Sequence, residues 1–348
     1  MKRIIILLVT IISLSGWSFA QVIDMNTEGQ GGVDLKKTGQ TTMNFLQVGV
    51  STKASGLADA YTALSSGVES IFTNPAGLSE MTSEYEAFVS STQWFADIKY
   101  LAGAAAWNGG NLGVFGLSFI VVDYGSIKGT SLLSNDAAGT DPNGYTLTGD
   151  VPNVGAYSFG LTYVKAVSTK FSIGGTVKYV GQNLGQLTDA DYNAISDNNA
   201  HKFAFDMGVK YFPGIESLRL GMSIRNFSTF VQYQNFESPL PVSFAVGLGM
   251  NLMDLINKDI STEHALVISS EFVHPNDYTD RVNTGLEYTF MNMVSLRAGY
   301  ETNHDVLNWS GGIGLGTSLG SSRIEIDYSY SHTKYFDGVN RFALNVGF

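Results

Sequence analysis

From residue 85 onward, apolar and polar positions alternate with the two-residue period of a β-strand. In the stretch FAFDMGVKY, residues 203–211, large apolar side chains share one face, whereas Asp206, Gly208 and Lys210 share the other. Turn-forming residues separate these alternating stretches from one another. The pattern predicts fourteen strands, at 85–94, 98–107, 111–124, 154–167, 171–184, 201–212, 217–228, 240–253, 264–275, 281–290, 293–303, 307–318, 322–333 and 340–348.

The length of the predicted strands separates two kinds of all-β protein. A soluble sandwich also alternates, with its polar face in water. Its strands are usually about five or six residues long, whereas a transmembrane β-strand needs about 9–11. Many of the segments here run for ten to fourteen residues. We therefore predict an all-β fold, a transmembrane, fourteen-stranded antiparallel β-barrel over residues 85–348.

The connections between the predicted strands tend to alternate between short and long. An outer-membrane barrel has short periplasmic turns and longer outer loops. If the first strand runs outward, the periplasmic turns are 108–110, 168–170, 213–216, 254–263, 291–292 and 319–321. The outer loops are then 95–97, 125–153, 185–200, 229–239, 276–280, 304–306 and 334–339. The stretch 254–263 is longer than the other turns and is expected to contain a short helix.

The first twenty residues, MKRIIILLVTIISLSGWSFA, have the pattern of a secretory signal peptide. Two basic residues precede an apolar run over 4–14, and the small residues Ser18 and Ala20 flank Phe19 before a cleavage point near Ala20. A membrane anchor is the alternative, but the apolar run is too short to span a bilayer comfortably. We expect export and integration into the bacterial outer membrane.

Charge and cysteine content exclude several functions. Without residues 1–20 the chain has 18 Lys and Arg against 31 Asp and Glu, a net charge of −13. Such an acidic chain is a poor ligand for nucleic acid. The absence of cysteine excludes disulfides and thiol chemistry. The expected partners are outer-membrane lipid and the barrel-assembly machinery, with no nucleic acid.

Residues 21–84 do not alternate, and we expect an N-terminal extension with a plug inside the barrel. A helix is predicted over 54–65, and Asn74 reads as the cap of a short helix that begins at Pro75. The apolar residues of 45–80 need burial, and a fourteen-stranded barrel is too wide for side chains alone to fill. A periplasmic mini-domain beneath the barrel is the alternative.

Charged residues of both signs occupy the polar faces of the predicted strands. We expect them to form a structural charge network in the lumen, and a water-filled polar pore is the alternative. The residues are Asp206, Lys210, Arg219, Arg225, Glu271, Glu287, Arg297, Glu325 and Asp327.

No pattern of catalytic or metal-binding residues stands out. The five histidines form no H-x-x-x-H pair, and the glycines of GGIGLGTSLG, 311–320, read as small inward residues rather than a dinucleotide site. Carboxylates in 125–153 and 185–200 lack EF-hand spacing, so a surface Ca²⁺ site is only the alternative to solvated loops. No credible Ser-His-Asp set is present. We expect no enzyme activity, no cofactor and no metal.

The final residues, RFALNVGF, form an alternating strand that resembles the C-terminal assembly signal of bacterial outer-membrane proteins. The residues that carry this resemblance are Phe342, Leu344, Val346 and Phe348. In a barrel the last strand pairs with the first, because no unpaired edge is tolerated in lipid. An edge strand of a soluble sheet is the alternative.

Three motifs before the first strand resemble the PorV/PorQ family of outer-membrane proteins, which is itself similar to the FadL long-chain fatty-acid transporters. They are FLQVG at 45–49, the small residues 54–58 around Gly56, and NPAGL at 74–78. The matching plug and gating residues are Phe45, Gly49, Gly56, Asn74, Pro75, Ala76 and Gly77. The chain departs from the family pattern at Lys53, Ser55 and Asp59.

This resemblance implies a fourteen-stranded barrel with an N-terminal plug. PorV-like members escort or anchor secreted cargo in type IX secretion, and FadL-like plugs gate the passage of a hydrophobic molecule. We expect a role in type IX-linked protein export or surface attachment. The alternative is a FadL-like transporter of hydrophobic small molecules. The partner would be a secreted protein in the first case and a hydrophobic ligand in the second.

Overall fold

A computed structural model describes residues 40–132, 144–188, 194–233, 236–256 and 263–348. Its strands are β1 (Tyr85–Gln93), β2 (Lys99–Asn108), β3 (Val114–Asp123), β4 (Lys128–Leu132), β5 (Tyr145–Asp150), β6 (Gly155–Ser168), β7 (Phe171–Thr188), β8 (Ala194–Tyr211), β9 (Arg219–Phe227), β10 (Val231–Tyr233), β11 (Phe236–Ser238), β12 (Ser243–Asn251), β13 (His264–Pro275), β14 (Arg281–Phe290), β15 (Val294–Glu301), β16 (Leu307–Leu319), β17 (Ser322–Thr333) and β18 (Val339–Gly347). The predicted signal peptide lies outside the described residues.

Fourteen of these strands form one closed antiparallel barrel. Each strand pairs with its neighbours in chain order, and β18 pairs with β1 to close the cylinder. Phe348 takes part in this closure, because its backbone N–H and C=O both bond to Tyr85 at 2.9 Å. The remaining four strands form two hairpins, β4–β5 and β10–β11, within the predicted outer loops 125–153 and 229–239.

All fourteen predicted strands are present, but the loop predicted at 185–200 is largely wrong. Here β7 and β8 continue as paired strands to Thr188 and from Ala194, with a register irregularity between Asn183 and Gln186. The extension lacks the apolar face that marks the rest of the barrel, so its polar sequence reads as a loop. At 254–263 a helix spans Met253–Ile256, as expected, and 257–262 lie outside the described residues.

The outer face of the barrel is apolar and exposed. Phe203 and Leu161 on this face are 59% and 64% exposed, and many other large apolar side chains accompany them. Aromatic rings cluster near the short turns. Trp107 stacks on Phe115 with ring centroids 5.7 Å apart, and Tyr163 is tilted against Phe115 at 5.1 Å. Exposed apolar side chains with aromatic residues at one rim are the kind of surface that a bilayer covers. No helix in the described ranges is long and apolar enough to cross a membrane.

Residues 40–84, which we call the lumenal segment, run through the barrel from one rim to the other. At the rim with the long loops, Thr42 donates its N–H to the carbonyl of Pro239 at 3.0 Å. At the rim with the short turns, Asn108 donates its N–H to the carbonyl of Glu84 at 2.8 Å. Between the rims the segment contacts β1–β3, β6–β8 and β15–β18, on opposite sides of the cylinder.

The lumenal segment is mostly irregular. It contains an α-helix at Thr52–Gly56 and 3₁₀ helices at Asn44–Gln47, Val68–Phe72 and Pro75–Glu80. The helix predicted over 54–65 is therefore wrong beyond Gly56. Ala58 and Asp59 have φ angles of 52° and 59°, in the left-handed region that ends a right-handed helix.

Glycines on the inner face of the barrel let this segment lie directly on the strand backbone. A Cβ added at Gly299 would lie 2.3 Å from the carbonyl carbon of Leu57, and one at Gly221 would lie 2.5 Å from the carbonyl oxygen of Thr62. A Cβ added at Gly312 would lie 3.3 Å from the Cα of Gly56. The barrel and the lumenal segment therefore share one packed interior.

Candidate functional site

Asn74 anchors the lumenal segment through three hydrogen bonds. Its Oδ1 accepts from the N–H of Ala76 at 3.1 Å, as expected of a helix cap. Its Nδ2 donates to the carbonyls of Thr62 at 3.0 Å and of Val209 in β8 at 3.1 Å. Asn74 is fully buried, so these bonds are shielded from water. The amide thus joins two parts of the segment to the barrel wall.

The other residues of the predicted plug motif are also buried or closely packed. Phe45 lies in the largest apolar cluster of the interior. The carbonyl of Gly49 accepts a hydrogen bond from the Nε of Arg341 at 2.9 Å. Gly56 lies against Arg297, and Gly77 leaves no room for a Cβ, which would fall 2.4 Å from the carbonyl oxygen of Ser65. Pro75 and Ala76 are buried at the start of their helix. Whether the motif gates the lumen stays a prediction.

Four of the predicted lumen charges meet on β14, β15 and β17. Arg297 contacts Glu287 and Asp327, each at 2.5 Å, and Glu325 at 3.9 Å. Lys53 of the lumenal segment extends the group by pairing with Glu325 at 2.8 Å. Two cations, Arg297 and Lys53, therefore face three carboxylates of the wall, and each of these carboxylates lies within 4 Å of a cation.

The remaining predicted charges point inward but bond mainly to other partners. Lys210 pairs with Glu80 of the lumenal segment, and Arg219 lies 3.7 Å from the same carboxylate. Asp206 pairs with Lys178 of β7 at 2.8 Å. The network is therefore divided into separate groups, and several of its links join the wall to the lumenal segment.

Two further predicted charges bind the lumenal segment directly. Arg225 donates from Nη1 to the carbonyl of Phe72 at 3.1 Å. Glu271 accepts from the N–H and the hydroxyl of Thr62 at 2.7 and 2.9 Å. Sequence reasoning missed the partners Lys53, Glu80 and Lys178, and also Glu69, which lies 3.9 Å from the Nζ of Lys53. Of these only Lys178 lies on a barrel strand, where strict alternation along β7 would have placed it inward.

The residues of the predicted assembly signal face outward. Phe342 and Leu344 are exposed on the outer surface of β18. Phe348, which follows the strand, is also exposed, and its ring stacks on Tyr85 with centroids 5.8 Å apart. Val346 is half-buried on the same strand. Their role in assembly stays a prediction.

A cavity of about 540 Å³ lies between the first part of the lumenal segment and the wall, towards the rim with the long loops. One side of the cavity is aromatic. It is formed by Phe45, Phe72, Trp94, Tyr100 and Tyr124. Its volume is in the range of small-molecule sites in proteins. The sequence did not predict this cavity.

The opposite side of the cavity is polar. Arg281 of β14 pairs with Glu301 of β15 at 2.9 Å. Glu271 of β13 and Asn283 of β14 are cross-strand neighbours, and Asn283 is also opposite Glu301. Arg341 of β18 is also fully buried at the cavity, but it lies on the aromatic side, 5.7 Å from the ring of Trp94. The cavity is therefore amphipathic.

His304 lies beside the cavity in the connection between β15 and β16. Its Nδ1 accepts hydrogen bonds from the N–H groups of Val306 and Leu307 at 3.1 and 2.8 Å. Burial, with smaller contributions from Arg281 and Lys334, lowers the pKa of His304 to about 3. At neutral pH the imidazole is uncharged and holds its own connection in a folded form.

Among the described residues, no three His, Cys, Asp or Glu side chains are grouped as a metal site would require. Asp150, from the predicted loop 125–153, pairs instead with Lys128 across the β4–β5 hairpin. Lys128, and to a smaller extent Ser126, donate hydrogen bonds to Asp150 and hold the pKa of its carboxyl below its usual value.

Solved structures of similar fold include three outer-membrane proteins. The CymD monoaromatic hydrocarbon channel has a TM-score of 0.54 at 13% identity, over 86% of this chain and 96% of its own. A Pseudomonas aeruginosa FadL homologue has a TM-score of 0.51 at 12% identity, over 90% and 99%. The Ralstonia pickettii toluene transporter TbuX has a TM-score of 0.50 at 12% identity, over 86% and 97%.

The barrel has the FadL-like outer-membrane fold. No protein-family model and no curated protein matches the chain. The structural neighbours are channels and transporters rather than enzymes. Their likeness supports an outer-membrane location, whereas the PorV/PorQ resemblance stays a prediction.

Proposed function

We propose that this barrel passes hydrophobic small molecules across the outer membrane. The observation that carries the proposal is the aromatic-walled cavity between the lumenal segment and the barrel wall. Aromatic side chains bind apolar molecules through their large contact area. The FadL-like neighbours support the same reading, because two of them are named for monoaromatic hydrocarbons and toluene.

The interior of the barrel argues against a general porin. The lumenal segment is packed onto the inner wall through close contacts at Gly221 and Gly299. Its charged neighbours are paired, as Lys53 is with Glu325 and Lys210 is with Glu80. A water-filled channel for polar solutes needs an open lumen. A hydrophobic molecule needs only a cavity and a small displacement of the segment that borders it.

Type IX-linked export or surface attachment is the second candidate, and it rests on the PorV/PorQ resemblance. The residues that carry this resemblance, such as Asn74 and Ala76, are fully buried inside the barrel. They are therefore unavailable to a secreted protein, and they act in this structure by holding the lumenal segment. A cargo surface would have to lie elsewhere, on the outer loops.

The proposal is tested by the uptake of a labelled monoaromatic hydrocarbon in cells that lack other hydrocarbon channels. The informative variant is Val273→Trp, because Val273 is buried on β13 and lines the cavity. The matched control is Leu315→Trp, on the lipid-facing side of β16. We expect the native chain and the control to accelerate uptake, and the cavity-filling variant to abolish the acceleration.

Both variants must first be shown to reach the outer membrane as folded, heat-modifiable barrels. Uptake that is the same with and without the native chain would contradict the proposal. Equal acceleration by Val273→Trp and Leu315→Trp would place the route outside the cavity.

A further inference from the structure

A second cavity, of about 650 Å³, lies at the rim with the long loops, where the β1–β2 and β17–β18 connections meet. We call it the rim notch. Trp94 and Phe95 line both the notch and the aromatic-walled cavity, and so form the partition between the two. The other lining side chains are mainly polar or aromatic, and they include Gln93, Asp97, Tyr335, Phe336, Asp337 and Asn340.

The floor of the rim notch faces away from the lumen. Gln93 and Asn340 are the last cross-strand pair of the seam between β1 and β18. Side chains two or four residues apart on a strand share a face. Val89, four residues before Gln93, and Phe342, two residues after Asn340, are 42% and 59% exposed on the outer face of the barrel. The notch therefore opens sideways, towards the surroundings of the barrel.

Aromatic side chains on the same outer face indicate how deep the notch lies in the membrane. The ring centroid of Trp309 on β16 is 5.7 Å from that of Tyr330 and 5.1 Å from that of His332, both on β17. Tyr330 pairs with Asn340 across the strands, and a Cβ added at Gly338 of the notch would lie 2.3 Å from the Tyr330 ring. Aromatic girdles of outer-membrane barrels lie at the level of the lipid headgroups. The notch is therefore at headgroup depth.

The two connections hold the notch in a preformed shape. The ring of Phe336 stacks on that of Phe95 with centroids 4.5 Å apart, which joins one connection to the other. The hydroxyl of Thr333 accepts from the N–H of Phe336 at 3.2 Å. The N–H of Lys334 donates to the carbonyl of Val306 at 2.8 Å. A preformed site needs little ordering when a ligand binds.

The lining of the notch suits a saccharide better than a phosphate. Asp97 and Asp337 are exposed carboxylates, whereas Lys334 donates from Nζ to the carbonyl of His304 at 2.6 Å. A phosphate group would meet these two acids without a free cation to bind it. Carboxylates and the amides of the floor can instead bond to hydroxyls, which both donate and accept. The ring of Tyr335, 78% exposed, offers an apolar face to the C–H groups of a sugar.

We propose that the rim notch binds the saccharide headgroup of a glycolipid in the outer leaflet of the membrane. The sugar hydroxyls bond to the amides of Gln93 and Asn340 and to the carboxylates beside them, and one sugar face lies against Tyr335. The acyl chains follow the apolar outer face below Phe342. The sideways opening at headgroup depth favours a membrane-anchored saccharide over a free one. This site is separate from the proposed passage of hydrophobic molecules and does not depend on it.

The test measures which lipids stay bound when native mass spectrometry releases the full barrel from nanodiscs. The nanodiscs contain phosphatidylcholine and a small fraction of one probe lipid. The probes are monoglucosyl diacylglycerol, diacylglycerol and phosphatidylglycerol, which share the same acyl chains and differ in the headgroup. Methyl glucoside, added in solution, serves as the free sugar. We expect the native chain to retain the glucosyl lipid in preference to the other two, and methyl glucoside to compete only weakly.

The informative variants are Gln93→Ala and Tyr335→Ser, because both side chains are exposed in the notch. The matched control is Phe236→Ser, on β11 at the same rim, where the side chain is 80% exposed outside the notch. We expect each informative variant to weaken binding of the glucosyl lipid about fivefold, because each removes one contact, and the control to change it by less than about twofold. All three must first be shown to be heat-modifiable barrels.

Four results would overturn the proposal. Equal retention of the glucosyl lipid and diacylglycerol would show that the sugar is not recognised. Preferential retention of phosphatidylglycerol would contradict the charge argument. Complete displacement of the glucosyl lipid by an equal concentration of methyl glucoside would make a free saccharide the ligand. Equal losses in the control and in both informative variants would place the bound lipid outside the notch.

Discussion

The close contact between Gly208 of β8 and Asn74 provides a sharp test of the packed interior. A Cβ added at Gly208 would lie 1.9 Å from the Oδ1 of Asn74 and 3.0 Å from the Cδ of Pro75. Real Cβ atoms do not approach other atoms so closely, so Gly208→Ala must displace the Asn74 amide. The three hydrogen bonds of Asn74 are then lost or weakened.

The magnitude follows from these bonds. Each contributes about 0.5–1.5 kcal/mol, and overpacking of a dense core costs about 1–3 kcal/mol. Because the two costs overlap, we expect Gly208→Ala to lower the free energy of unfolding by about 2–4 kcal/mol. The matched control is Gly175→Ala on β7, where the added Cβ would meet only the carbonyl oxygen of Asp206, at 3.6 Å. This control should be neutral or slightly stabilising, because glycine weakens a strand.

The assay is urea-induced unfolding of the barrel in lipid. The folded fraction is measured by electrophoresis, because folded barrels migrate differently from heated, unfolded ones. A double-mutant cycle with Asn74→Ala separates the clash with the amide from general strain. When the amide is absent, Gly208→Ala should lower the free energy of unfolding by about 2 kcal/mol less than it does in the native chain. Equal unfolding midpoints for Gly208→Ala and Gly175→Ala would refute the close packing of the lumenal segment on β8.

Three further predictions concern the rim, the lumen and the last strand. Phe348→Asp should reduce the amount of assembled barrel in the outer membrane, and normal levels of heat-modifiable protein would contradict the assembly role. In planar bilayers the intact chain should show almost no conductance, whereas a variant that lacks 45–80, if it assembles, should conduct in large steps. Porin-like conductance of the intact chain would show that the segment does not block the lumen. His304 should stay uncharged at pH 5, seen by nitrogen NMR with His304→Gln for assignment, because its pKa of about 3 lies below the ordinary value of about 6.5. His304 binds a proton more tightly when the connection between β15 and β16 is unfolded, so the stability of the folded connection decreases as the pH falls from about 6.5 towards 3. A charged imidazole at pH 5 would refute the burial of His304.

The sequence predicts the barrel well, because each strand carries its own evidence. In β17, for example, Glu325 and Asp327 alternate with Ile324 and Ile326, and one period of two residues assigns both faces. Capping chemistry is equally local, and it placed Asn74 before Pro75 correctly.

The lumenal segment is harder to predict, because distant parts of the chain determine its shape. The helix predicted beyond Gly56 is replaced by Leu57, which packs against Gly285 of β14 and Gly299 of β15, and by the left-handed residues 58 and 59 that follow it. No spacing within 54–65 signals such contacts. The cavity has the same origin, since its lining comes from residues between Thr41 and Arg341 that only the closed barrel brings together.

The most direct test of the central claim is native mass spectrometry of the gently extracted barrel. The cavity beside Val273 should retain a small hydrophobic molecule from the membrane, seen as a mass increment on the folded chain. That increment should be absent from Val273→Trp and present in Leu315→Trp. An unliganded native chain that instead copurifies with secreted proteins would contradict a hydrophobic-molecule channel and favour the export role.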